Sequence, residues 1–472
     1  MKSRIEFDSI GSLEVPYDAY YGVQSLRAYN NFHITGQKLN TSLIKSLAEI
    51  KKAAAITNMN SGYLSQEIGN AIILACDEII NGKLISEFII DPIQGGAGTS
   101  SNMNANEVIA NRAIEFLNGE KGNYSIVHPN DHVNMCQSTN DVFLTAGKLT
   151  VLKLLTPTIN ELEKLYTSLC TKSIEFDNVI KMGRTQLQDA VPMRLGQSFR
   201  AYSSVIKRDI NRLIKIKEEM RVINIGATAI GTAINTNSYY LHNISKNLSL
   251  VTGEILVQAD DLIDCTQNLD GFVSVSSVLK TCAIDLSKIS NDLRLLSSGP
   301  KTGLAEINLP AKQNGSSIMP GKINPVIPEV VSQVAFNIIG NDITISMAAE
   351  SGQLELNAFE PVLFYNLFES IETLGKAAKT LTENCINGIT ANEERCLTLV
   401  ENSVALATAL CPYIGYKRSA DIAKKSLKTG IPIKELIAEE VNLSESEMQD
   451  IFDLKKLTEP DFKNEYLSAV NI

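Results

Sequence analysis

The 472-residue chain contains no tryptophan, and Phe and Tyr bring its aromatic content to only 6%. A β-sandwich core, which leans on aromatic and β-branched side chains, is therefore disfavoured. Packing by Leu, Ile, Val and Ala points to helices instead. Basic residues are outnumbered 53 to 43 by acidic ones, for a formal charge of −10, and no basic run occurs. Nucleic acid is excluded as an expected partner, because phosphate neutralisation needs clustered Lys and Arg. No run of 18 apolar residues is present, so no segment reads as a membrane span. The N-terminal Met1-Lys2-Ser3-Arg4-Ile5-Glu6-Phe7-Asp8 lacks the apolar core of a signal peptide. None of the eight cysteines forms a Cys-x-x-Cys pair. Free buried thiols in a reducing cytoplasm are expected. Of the four histidines, His128 and His132 have metal-ligand spacing. Pro129 between them, and the missing Glu of a zinc motif, argue against a metal centre.

What the chain does contain is helical periodicity. With 44% hydrophobic and 20% charged residues, it reads as globular, and its length predicts two or three domains. Five segments carry apolar seams stepping by three and four residues. They run Leu152 to Leu169, Phe199 to Leu213, Leu279 to Leu296, Val331 to Ala348, and Phe364 to Cys385. Such spacing predicts five long helices of roughly 18–28 residues packed as an elongated bundle. No intervening segment alternates as a buried strand should. The expected organisation is a mixed-helix domain over 1–140, a central five-helix bundle over 141–395, and a small helical domain over 396–472. Acidic patches such as Glu439-Glu440 and Glu445 to Asp450 read as solvated helix faces.

Four loops interrupt this pattern with dense polar groups. Asn314-Gly315-Ser316-Ser317-Ile318-Met319-Pro320-Gly321-Lys322-Ile323-Asn324-Pro325 excludes regular structure and sets a lysine among hydroxyl and amide donors, the composition of a loop that binds a small anion. It is not a nucleotide-binding P-loop. Its spacing is one residue too long, Ile323 stands where a magnesium-binding hydroxyl belongs, and no strand precedes it. Gln94 to Asn104 carries three glycines before Thr99-Ser100-Ser101, an arrangement that turns backbone N–H groups toward a carboxylate or phosphate. Its simpler alternative is an ordinary helix cap. Ser138-Thr139-Asn140 opens a long helix and carries the same two readings. Met182 to Pro192 supplies Arg184, Thr185 and Gln186 between two bundle helices; Arg184 is either a site cation or a structural arginine tied to Asp189.

Taken together, these loops resemble the signature regions of the aspartase/fumarase superfamily. Gly315 to Pro325 matches the most specific of them. The likeness runs from Val15-Pro16-Tyr17-Asp18-Ala19-Tyr20-Tyr21-Gly22-Val23 to Cys385-Ile386-Asn387-Gly388-Ile389-Thr390-Ala391-Asn392. Within the superfamily the aspartate ammonia-lyase branch is most similar. Gln186 stands where class II fumarases typically carry His, and Glu360 where they tend to carry Lys. Two departures lie beside the site: Leu144, where Pro is usual, and Ala311-Lys312-Gln313 before the signature loop. The resemblance implies an all-α fold of three helical domains. It also implies a homotetramer with a shared helical core and active sites each drawn from three subunits.

The implied reaction is reversible deamination of L-aspartate to fumarate and ammonium, through an aci-carboxylate dianion. It implies Ser316 as general base and Lys322 as the cation that supports it. Thr99, Ser138, Thr139 and Thr185 would hold the carboxylate that becomes the dianion, and Lys322 and Asn324 the other carboxylate. Asn140 and Gln186 would flank the leaving amine. His128, Asn130 and Asp131 resemble a secondary carboxylate site. No cofactor is required, and activation by a divalent cation such as magnesium is left open. The alternatives are hydration of fumarate, elimination from another β-substituted amino acid, and a helical scaffold without activity. The joint presence of Thr99, Asn140, Thr185, Ser316 and Lys322 argues against the last.

Overall fold

The computed structural model describes residues 2–441 and 443–459. An antiparallel hairpin, β1 (Ser3–Asp8) with β2 (Gly11–Pro16), is followed by helices α1 (Val23–Asn31), α2 (Thr41–Asn60), α3 (Gln66–Ile80) and α4 (Thr99–Phe116). The five expected long helices are α5 (Thr139–Glu175), α6 (Leu195–Met220), α9 (Asp270–Leu296), α10 (Val326–Glu350) and α11 (Glu360–Asn384). Between α6 and α9 lie α7 (Ser238–Thr252) and α8 (Leu262–Gln267), and shorter helices follow from Glu393 onward. The fold is all-α, as expected. Nearly every seam residue is buried; Tyr166 and Val334 alone among them are half-buried.

Two differences from expectation have physical causes. Helix α5 is 37 residues long and carries Pro157 within it, well beyond the seam that starts at Leu152. Every residue from Asp141 to Leu152 is buried, and a helix covered on all sides shows no one-sided periodicity. The segment between α5 and α6, expected as a loop, is an antiparallel hairpin of β3 (Ile180–Thr185) and β4 (Gln188–Arg194). A register shift between Met182 and Arg184 spoils its alternation. Gly183 sits at this shift, where a Cβ would lie 2.8 Å from the Val191 carbonyl oxygen.

The chain forms two compact units, each assembled from separate stretches. The first comprises Met1–Glu161, Asp209–Ile284 and Val334–Lys376; the second comprises Leu162–Arg208, Asp285–Gln333 and the described part of Ala377–Ile472. All five long helices contribute to both. In the first unit an aromatic cluster joins three helices: Phe364 of α11 lies 5.2 Å from Phe143 of α5 and 5.1 Å from Phe272 of α9, ring centre to centre. Helices α9 and α10 are tied there by Ser276 and Lys280, which both donate to Asp342. In the second unit Tyr202 of α6 donates to Asp292 of α9 at 3.0 Å. Helix α5 is apolar and long enough to cross a membrane, but most of its apolar stretch is buried inside the fold.

Candidate active site

In the first unit, the Gln94–Asn104 loop turns through three successive left-handed residues, Gly96, Ala97 and Gly98, at φ 90°, 52° and 81°. They deliver the chain to the start of α4 at Thr99. Gly98 is required twice over: its conformation disfavours a side chain, and a Cβ there would lie 2.3 Å from the Phe143 ring. The buried Gln94 holds the turn from beneath. Its Nε2 donates to the Asp91 carbonyl and to Ser101 Oγ, and its Oε1 accepts from the Ser101 N–H. Thr99 is left exposed at the rim of a cavity of about 820 Å3, which Ser100, His128 and Asn130 also line. The loop expected at the primary site and two residues of the secondary one therefore face the same space. The exposed Asp131 does not line this cavity. His128 and His132 sit at a π-helical turn, Pro129–Val133. Their Nδ1 atoms accept backbone N–H groups, from Asn130 and Asp131 for His128 and from His128 itself for His132.

The start of α5 is built on a buried carboxylate. Asp141 accepts from Ser138 N at 2.9 Å, from Gly226 N at 3.0 Å and from Thr228 N at 3.1 Å. It thereby fastens the Ile223–Thr232 segment against Ser138-Thr139-Asn140. Burial pushes Asp141 up to about 6, against these three donors and the charge of Lys51, which pull it down. Lys51, on α2, is fully buried, and burial lowers it to about 7 while Asp141 opposes the shift. The Asn140 amide has a fixed orientation. Its Nδ2 donates to the Ala229 carbonyl at 2.6 Å, which can only accept. Its Oδ1 is therefore turned to any incoming donor, as an ammonium group requires. Leu144, the departure from the usual Pro, is fully buried within α5.

In the second unit, Thr185 and Gln188 pair across the hairpin, with Gln186 and Leu187 forming its two-residue turn at φ 52° and 63°. Both turn residues need left-handed backbone, where Asn or Gly would ordinarily stand. Strain of this kind is retained where side-chain placement matters. Thr185 and Gln186 are exposed. Arg184 is structural, but its partner is Glu306, not Asp189. It donates to the fully buried Glu306 carboxylate at 2.9 Å, with Lys181 3.4 Å away, while Asp189 accepts from Ser403.

The signature loop also lies in the second unit. Gly315 N donates to the Lys322 carbonyl at 2.8 Å, and Asn324 Nδ2 donates to the Gly315 carbonyl at 2.8 Å. These two bonds clasp the ends of the loop. A Cβ on Gly315 would lie 2.6 Å from the Lys322 carbonyl oxygen and 2.8 Å from Asn324 N, so only glycine permits the clasp. Inside it, Ser316 Oγ accepts the backbone N–H groups of Ile318 at 3.2 Å and Met319 at 3.0 Å. Two donors aimed at one hydroxyl oxygen favour its anion. Lys322 is exposed and lines a cavity of about 370 Å3 together with Asn324, Arg294, Ser297 and Ser298.

Thr99 and Ser138-Thr139-Asn140 thus belong to the first unit, and Thr185, Gln186, Ser316, Lys322 and Asn324 to the second. Among the described residues, no hydrogen bond or ion pair joins the hairpin turn to the signature loop. Sequence reasoning missed the supports Lys51, Asn134 and Glu306, and named Gln94 and Asn102 only as members of the Gln94–Asn104 loop. One signal was present in Ile50-Lys51-Lys52-Ala53-Ala54-Ala55, where a lysine falls at a position the apolar neighbours mark as core.

A family model described as Lyase matches residues 11–340. The chain belongs to this lyase family. A second model, Fumarase C C-terminus, matches residues 406–459. Among curated members, the chain is 52% identical to aspartate ammonia-lyase from Bacillus sp, covering 97% of this chain and 98% of that protein. It is 48% identical to aspartate ammonia-lyase from Escherichia coli K12, over 98% of this chain and 97% of the relative. Among solved structures of the family, fumarate lyase:delta crystallin from Brucella melitensis, described as bound to cobalt, superposes with a TM-score of 0.95 at 48% identity. That match covers 97% of this chain and all of the other. Recombinant class II fumarase from Schistosoma mansoni superposes with a TM-score of 0.94 at 34% identity, over 98% of this chain and 100% of that one.

Proposed function

We propose that this chain is a carbon–nitrogen lyase that reversibly deaminates L-aspartate to fumarate and ammonia. The observation that carries the mechanism is Ser316, whose hydroxyl oxygen accepts two backbone N–H groups inside a clasped, glycine-dependent loop. A serine is a poor base unless its anion is stabilised, and these donors supply stabilisation before substrate arrives. Ser316 takes the Cβ proton, and the resulting carbanion delocalises into the neighbouring carboxylate. Thr99, Ser138, Thr139 and Thr185 donate to that carboxylate as it becomes a dianion. Lys322 holds the other carboxylate, with Asn324 fixing the loop and offering its second amide hydrogen. Asn140 Oδ1 and Gln186 receive the substrate ammonium. Gln186 does not titrate, which suits a leaving group that departs as neutral ammonia without a proton from the enzyme. No organic cofactor enters this chemistry.

The active form is a homotetramer whose sites each combine loops from three copies. Support comes from α10, where Phe336, Ile343 and Met347 are 64%, 59% and 62% exposed on one face, a stripe typical of a helix covered by another subunit. The eight free cysteines suit a reducing cytoplasm. The deciding experiment measures fumarate formed from L-aspartate and from L-malate by the same preparation, with light scattering for assembly. Aspartate turnover at least as fast as malate turnover is expected. Malate turnover alone would replace the reading with fumarate hydration.

A further inference from the structure

Beneath the start of α5 lies a short chain of polar groups that begins at Lys51; Lys51 and Asn102 are buried, Asn134 and Thr139 half-buried. Lys51 Nζ donates to Asn134 Oδ1 at 2.7 Å. Asn102 Nδ2 donates to the same oxygen at 3.3 Å and to Thr139 Oγ1 at 3.1 Å. Amide orientations are ordinarily ambiguous, because O and N look alike. Here the Gln137 carbonyl removes the ambiguity, since it can only accept and so takes the Asn134 nitrogen. With Asn134 Nδ2 given to that carbonyl at 3.1 Å, its oxygen is turned to Lys51. Asn102, facing that oxygen, must present its nitrogen. The second hydrogen of that nitrogen goes to Thr139, whose hydroxyl oxygen is thereby an acceptor. The orientation has a cost: Asn102 Oδ1 is buried and without a hydrogen-bond partner among the described residues. A buried amide oxygen left unpartnered is retained only where something stronger sets its direction.

We propose that Lys51, Asn134 and Asn102 form a relay that fixes the direction of the Thr139 hydroxyl, so that its proton is given outward to the substrate carboxylate. The inference rests on the placement of Thr139 at that carboxylate. Asn102 touches no substrate; it is a positioning residue. Free to rotate, the hydroxyl would donate inward part of the time and present lone pairs to an anion. With Asn102 donating to it, the hydroxyl is held as a donor before binding, which is the preorganisation a developing dianion needs.

The test is a double-mutant cycle between Asn102 and Thr139, read by KM for L-aspartate and by the inhibition constant of succinate, an unreactive dicarboxylate. Asn102→Asp replaces the donor with an acceptor and turns the Thr139 proton inward. Both constants should rise about tenfold to a hundredfold, the range for one hydrogen bond to a charged group. Thr139→Val should give a comparable rise, and the double variant no more than either single one. Should Asn102→Asp not fold, Asn102→Ala removes the donor without a charge and enters the same cycle. Unchanged constants in Thr139→Val would overturn the placement of Thr139, and the relay with it. A loss in Thr139→Val, combined with no loss or with fully additive loss in the Asn102 variant, would overturn the relay alone.

Discussion

Replacing Gly315 with Ala isolates the contribution of the signature-loop clasp. The added methyl would lie 2.6 Å from the Lys322 carbonyl oxygen and 2.8 Å from Asn324 N, and both obstacles are backbone atoms that cannot swing aside. The loop ends must part. Two hydrogen bonds then go, Gly315 N to Lys322 O and Asn324 Nδ2 to Gly315 O, each 2.8 Å long. At about 1 kcal/mol net per bond, the clasped form loses about 2 kcal/mol, or roughly thirtyfold in population. The pair of N–H groups on Ser316 disperses with it, so kcat/KM should fall by about that factor. Because residues 317–323 are exposed, the melting temperature should barely move. Gly321 provides an internal comparison. It has φ +79°, and a methyl added there would meet no atom within 4 Å, so alanine at this position meets only backbone strain of about 1 kcal/mol. The assay is the initial rate of fumarate appearance against aspartate concentration, paired with a thermal melt. A Gly315→Ala enzyme with unaltered kcat/KM, or one no worse than Gly321→Ala, would refute the clasp.

Further outcomes follow from the same geometry. Ser316→Ala should lower kcat by about a hundredfold to ten-thousandfold, the usual span for a lost general base, with the melt intact; near-normal turnover would remove Ser316 from that role. Lys322→Met should act chiefly on KM, and an unchanged KM would exclude it as a carboxylate anchor. Arg184→Gln strips one of two cations from the fully buried Glu306; a loss of about 3 kcal/mol in chemical denaturation is expected, at the low end for a broken buried pair because Lys181 stays. Burial holds the Glu360 carboxyl neutral well above its ordinary value of 4.5. Below that value it is protonated in both folded and unfolded chains. Above it only the unfolded chain ionises, so stability falls as pH rises. Glu360→Gln should therefore melt progressively higher than the parent as pH rises above the ordinary value of 4.5, and a pH-independent difference would contradict the neutral form.

The helical seams were legible because each buries one face and leaves the other in water. Legibility failed where that asymmetry failed. Helix α5 begins well before Leu152, but from Asp141 onward it is covered all round, and periodicity has nothing to contrast. The β3–β4 hairpin hid behind its own register shift at Gly183. In the site, exposed donors such as Thr99, Thr185 and Lys322 stood out by composition. Their buried supports did not, since the direction of an Asn102 or Asn140 amide is decided by a neighbour far away in sequence. Arg184 shows the same limit: its cross-strand partner is Asp189, yet its charge is met by Glu306, which no spacing rule would select.

The Phe143 ring has a consequence for how the first unit tolerates change. It fills the space where a Cβ of Gly98 would lie, at the turn that launches Thr99, and it stands one helical turn beyond Thr139 on α5. Phe364 wedges it from behind and in turn occupies the space denied to Gly147, where a Cβ would lie 2.1 Å from its ring. Two helix starts, remote in sequence, thus share a single gauge block. Any drift in the size or seating of that ring would displace both sets of hydroxyls together, so the ring sets a distance and takes no part in the chemistry.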